Sequence, residues 1–134
     1  MHLIIEPSTC NIYWEEHPTY KNAKMYNDCG LDIPMPEDII IPENAFNYVI
    51  NLQFRTESTH NYMIVPKDLI TKTPIRLSNS ICIINKNFRE NLKVVIDNVL
   101  DEPYTLRCKK CYFQIISFSG TLPNWNLGEI KLTK

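Results

Sequence analysis

Five cysteines, three histidines and fifteen carboxylates are the side chains of this chain that could ligate a metal, attack a substrate or move a proton. Cys108-Lys109-Lys110-Cys111 has the C-x-x-C spacing that a zinc site or a redox dithiol uses. Zinc needs two more ligands, and Cys10, Cys29, Cys82, His2, His17 and His60 provide no second pair at ligand spacing. The pair is therefore read as incidental. The histidines define no Ser/His/Asp or Cys/His order for a nucleophile and its base. Three glycines in the whole chain argue against a loop of backbone amides around phosphate. Arg107, Lys109 and Lys110 form a small basic patch, read most simply as a solvated turn.

Whatever chemistry exists must be positioned by short strands. Apolar residues recur with period two or in brief continuous runs: Ile39-Ile40-Ile41; Tyr48, Ile50, Leu52 and Phe54 in alternation; Tyr62-Met63-Ile64-Val65; Ile81-Cys82-Ile83-Ile84; Leu92 to Ile96; Tyr112 to Ile116. These runs are rich in β-branched or aromatic residues and bounded by Pro, Asn, Asp or Ser, which is the pattern of an all-β sandwich or barrel. Lys67 to Thr73 is the one segment expected to turn helically, for a turn or two at most.

A length of 134 residues fits one domain, 1–134, and an apolar content of 44% gives it a real core. Nine prolines disfavour long helices. A net charge of −1 points to no nucleic-acid surface. No stretch approaches the ~20 apolar residues of a membrane span. The first residues lack the basic and apolar regions of a signal peptide, so an intracellular protein with reduced thiols is expected.

The order of certain segments resembles the trimeric dUTPase family. His17-Pro18-Thr19-Tyr20, then Cys29-Gly30-Leu31-Asp32-Ile33, then Ile41-Pro42, is similar to a PTY-like strand, the first motif G-x-D-L and a short strand ending near proline. Met63 to Ile70 stands where an apolar strand precedes P-R-S-G. Asn79 to Leu92 is similar to N-x-x-G-x-I-D-x-D-Y-x-G-x-L, and Cys108 to Ile116 to P-G-x-R-I-A-Q-L. The resemblance covers residues 17–117 and implies a distorted jelly-roll or β-barrel.

The resemblance also shows what is missing. The water-activating carboxylate of the third motif is matched by Asn85, whose carboxamide has no lone pair of useful basicity, and the second acidic position is Asn87. The sugar-stacking tyrosine is Phe88, and the following glycine is Glu90. The second motif has Lys67 for arginine, losing the bidentate fork, Leu69 for glycine, and Asp68 for the serine that donates to phosphate. A carboxylate about 4 Å from one phosphate charge is repelled by roughly 4 kcal/mol at a dielectric of about 20. The fourth motif keeps Gln114 but has Cys111 for its arginine, and residues 118–134 contain no glycine-rich arm.

These departures lead to the expectation of a catalytically inactive dUTPase-fold protein. It would act as a structural or interaction component, a homotrimer with an unidentified protein partner, of the kind large DNA viruses use in a virion. Asn85, Asp68 and Lys67 are then vestigial catalytic positions. If nucleotide binding survives, Asn79, Phe88 and Gln114 would line the pocket, and magnesium would be its cofactor. Asp32, which in an active relative orders the magnesium shell, is the candidate metal residue and is otherwise a turn aspartate beside Gly30. Asn79 reads equally as a base-edge residue or a turn residue before a strand. An active enzyme would need Glu90 or Asp68 as its base. Trp125, Leu127, Ile130 and Leu132 make an apolar tail, with Ile130-Lys131-Leu132 expected as a last strand.

Overall fold

The computed structural model describes residues 2–5, 30–57, 60–118 and 130–132. The His17–Tyr20 segment, Cys10, Cys29, Trp125 and Leu127 lie outside them. The described residues form twelve strands and one 3-10 turn. In order these are β1 (His2–Ile5), β2 (Leu31–Pro34), β3 (Ile39–Ile41), β4 (Tyr48–Asn51), β5 (Phe54–Glu57), β6 (Tyr62–Pro66), η1 (Asp68–Lys72), β7 (Ile75–Leu77), β8 (Cys82–Ile84), β9 (Lys93–Asn98), β10 (Tyr104–Leu106), β11 (Cys111–Ser117) and β12 (Ile130–Leu132). The described residues are nearly all β, and their single helical turn falls where Lys67 to Thr73 was expected to turn.

The strands pair into sheets of order β2-β11-β6-β8, β4-β9-β7, β12-β1-β5 and β10-β3. All pairings are antiparallel except that of β1 with β12. Their inner faces share one core, in which Leu31, Ile33, Ile64, Phe113 and Ile115 of the first sheet meet Ile50, Val94, Ile96 and Leu77 of the second.

The alternating run from Tyr48 to Phe54 was expected as one strand, and the structure divides it. Gln53 turns to φ 66, and its amide donates to Asn51 Oδ1 at 2.7 Å. This local side-chain turn competes with the ladder. Ile50, Leu52 and Phe54 nevertheless stay buried, so the pattern reported burial correctly and continuity wrongly.

Two buried polar residues, Asn98 and Asp97, are held by several hydrogen bonds each. Asn98, wholly buried, donates to the carbonyls of Pro42 and Glu102 at 3.0 Å and accepts from Leu100 N–H. It thereby fastens the loop after β3 to the turn after β9. Its neighbour Asp97, also buried, accepts from Ser78 Oγ at 2.6 Å, Asn47 N–H at 3.0 Å and Arg76 Nε at 3.1 Å. Gly30 precedes β2 where a Cβ would collide with the carbonyl oxygen of Ile115, so only glycine allows β2 to approach β11 this closely.

Candidate functional site

The β2-β11-β6-β8 sheet sets the four motif segments side by side, in the spatial order first, fourth, second, third. Asp32 on β2 is the register partner of Gln114 on β11, and Gln114 in turn faces Val65 on β6. Both polar residues are half-buried. Two residues beyond Val65, the chain leaves β6, and Lys67 N–H donates to Tyr112 O at 2.8 Å. From this anchor the Lys67 side chain reaches back over β11, and Nζ lies 2.7 Å from Asp32 Oδ2. Two strand spacings amount to about 10 Å, a span that a lysine and an aspartate can bridge together.

Asp32 is therefore a strand residue committed to an ion pair, which corrects its reading as a turn aspartate. Side-chain exposures of 27% for Lys67 and 15% for Asp32 put the pair largely out of water. Asp68 opens η1, exposed, with its carbonyl accepting from Thr71 Oγ1.

The third-motif residues stand elsewhere. Tyr62 pairs with Ile84, so the turn after β8 lies level with Asn61 at the start of β6. Asn61 Oδ1 accepts from Lys86 N–H at 2.9 Å. Within this turn Asn85 Oδ1 accepts from Asn87 N–H at 2.8 Å, and Asn85 O accepts from Phe88 N–H at 2.9 Å. Arg89 Nη1 closes it by donating to the carbonyls of Lys86 and Phe88. Phe88 packs half-buried against the core. Asn61 and Lys67 are six residues apart along β6, on the order of 20 Å. One chain thus brings Lys67, Asp32 and Gln114 together and holds Asn85 and Phe88 apart from them.

Asn79 lies exposed in the turn before β8, where its carbonyl accepts from Ile81 N–H at 2.6 Å. Burial pushes the Cys82 thiol above its ordinary value, while a hydrogen bond with the Asn79 side chain acts in the opposite sense. This is the local, turn-forming role. Asn61 and Arg89, the two residues that fix the Asn85 turn, were not anticipated, because their partners are backbone groups invisible to motif spacing.

Cys82, Cys108 and Cys111 are not joined in disulfides, and the Cys108 thiol donates to Pro36 O at 3.6 Å. The turn between Cys108 and Cys111 places Lys109 at φ 71 and pairs with Met35 through Lys109 N–H to Met35 O and Met35 N–H to Lys110 O, each 2.9 Å. Among the described residues no three His, Cys, Asp or Glu side chains converge as a metal set. No helix among them is long and apolar enough to cross a membrane.

No family model matches the sequence, and no curated protein does. Similarity is found among solved structures. Native EIAV dUTPase superposes with a TM-score of 0.55 at 19% identity, over 78% of this chain and 88% of that one. At that identity the likeness speaks for architecture. With the motif strands adjacent in one sheet, it gives the chain a nearly all-β, dUTPase-like fold.

Proposed function

We propose that this chain is a catalytically inactive protein of the dUTPase fold, serving as a structural or interaction component, including in a virion, and assembling as a homotrimer. The observation that carries the reading is the Lys67–Asp32 ion pair. By resemblance, Lys67 stands where the family's phosphate-binding arginine belongs and Asp32 where a carboxylate orders magnesium. Here each neutralises the other, so the residues present do not fit a magnesium shell. Asn85 adds to this: its amide oxygen is engaged in its own turn and it has no basic site to take a proton from water.

Assembly has separate support. On the outer face of the four-stranded sheet, Ile116, Met63 and Ile83 are aligned by register, and Ile83 is 69% exposed. Exposed apolar surface of this kind favours association. In the resembled family the active sites are shaped by the trimer, and a neighbouring copy is the means by which the separated halves of this sheet would meet.

Titration with dUTP, magnesium and a non-hydrolysable analogue, alongside the mass in solution, tests the reading. A trimer that neither binds nor hydrolyses is expected. Binding without turnover would instead favour a nucleotide-binding protein using Asn79, Phe88 and Gln114. Steady pyrophosphate release would mean an enzyme.

A further inference from the structure

We propose that the cleft between η1 and the β10–β11 turn is a binding site for a compact phosphate-bearing small molecule. The cleft has a volume of about 350 Å³, at the small end of ligand pockets. Three cations line it: Lys72 at the end of η1, and Arg107 and Lys110 from the turn. No Asp or Glu lines it, although the chain as a whole carries a net charge of −1. Lys72 and Lys110 have no ion-pair partner among the described residues. Arg107 has a single loose one, Asp38 at 3.7 Å, with both side chains more than half exposed. Three like charges around one concavity give it a positive potential that favours an anion.

The positions are built into the backbone. Arg107 N–H donates to Tyr112 Oη at 3.1 Å, and Lys110 N–H to Arg107 O at 3.2 Å, which sets the turn. Met35 pairs with the same turn from β2's side. Leu69, Tyr104 and Tyr112 supply apolar wall. The Tyr104 phenol, protonated at neutral pH like any tyrosine and raised further by burial, is available as a hydrogen-bond donor. A charged mouth with aromatic walls suits a phosphate attached to a small organic group.

A long polyanion fits less well. Asp101 and Glu102, both exposed, directly precede the rim residue Pro103 and would repel a chain of phosphates leaving the cleft on that side. Asp32, Lys67 and Gln114 are not among the lining residues, so this inference stands independently of the ion-paired site.

The test is a titration of the intact chain with inorganic phosphate and with tripolyphosphate, followed by amide chemical shifts. Saturable shifts confined to residues 69–73 and 103–112 are expected. Combining Lys72→Gln with Lys110→Gln should weaken binding at least about tenfold, since each removes a charge-assisted contact. Lys93→Gln, an exposed lysine on β9 away from the cleft, should leave it unchanged. Absence of saturable shifts, equal affinity in the double variant, or tighter binding of a single-stranded oligonucleotide at the same salt would each overturn the assignment.

Discussion

Lys67 Nζ and Asp32 Oδ2, 35 residues apart in sequence, meet at 2.7 Å above strand β11. The contact links the end of β6 to β2, which are not neighbours in the sheet, and so braces three strands with one pair of charges. Ion pairs at the surface contribute little because water screens them. This one is mostly withdrawn from water, where removing one partner strands the other charge.

A double-mutant cycle measures that coupling. Lys67→Met and Asp32→Asn should each lower unfolding free energy by about 1–3 kcal/mol, and the double variant should lose clearly less than the sum. Strict additivity in urea denaturation would show that the two residues act separately.

Restoring one carboxylate should not restore catalysis. Asn85→Asp keeps an oxygen to accept from Asn87 N–H, so the turn and the melting temperature should be preserved. Asp68 and the neutralised Lys67 would still oppose a triphosphate, and pyrophosphate release should remain at background. Turnover near the ordinary range of about 1 to 10³ per second would show that the single carboxamide had been the whole obstacle.

What the sequence disclosed follows from the range of each interaction. Strand positions are visible in short β-branched and aromatic runs bounded by turn residues, which is why β3, β6, β9 and β11 were legible. The η1 turn was legible from the segment after Pro66. The break at Gln53 was not, because it depends on one side-chain bond from Asn51 and a positive φ. The site was half legible. Motif spacing located Asp32, Lys67, Gln114 and Asn85, but no spacing shows that Lys67 crosses a strand to Asp32, or that Asn85 lies at the far end of β6. The Asp97 and Asn98 networks escaped for the same reason, since partners such as Asn47 and Pro42 lie 50 and 56 residues away along the chain.

Asp97 predicts a specific acid sensitivity. The Ser78 hydroxyl, with the Asn47 amide and then Arg76, holds its carboxyl below the ordinary 3.8, against the opposing effect of burial. A depressed folded-state value means the carboxylate stabilises the fold fully above its unfolded pKa of about 3.9, and that the benefit is lost as pH falls through the folded value. As pH falls below about 4 the unmodified protein should lose stability more steeply than Asp97→Asn. The variant should already be weaker at pH 7 by about 1–3 kcal/mol. Parallel pH profiles would remove Asp97 from this role.

Gly30 should tolerate no side chain. Its substitution by alanine drives a methyl into the Ile115 carbonyl, and backbone cannot swing aside as a side chain does. Overpacking of this kind costs about 1–3 kcal/mol or more. A Gly30→Ala protein that melts at the same temperature would mean that β2 shifts freely on β11.

The last strand supplies the final prediction. Ile130–Leu132 form β12, which lies parallel to β1 with Leu3 opposite Ile130 and Ile5 opposite Leu132. The same β1 pairs on its other side with β5. The tail is thereby the outer strand of a sheet in its own chain, as the alternation at residues 130–132 led one to expect. β1 without β12 would become an edge strand, with a row of open backbone groups. Deleting residues 123–134 should therefore lower the melting temperature, and the exposed edge of β1 should raise the protein's tendency to aggregate. If the shortened protein kept its melting curve and its mass in solution, β12 would contribute nothing to the fold, and the segment would be better explained as a docking peptide for an outside partner.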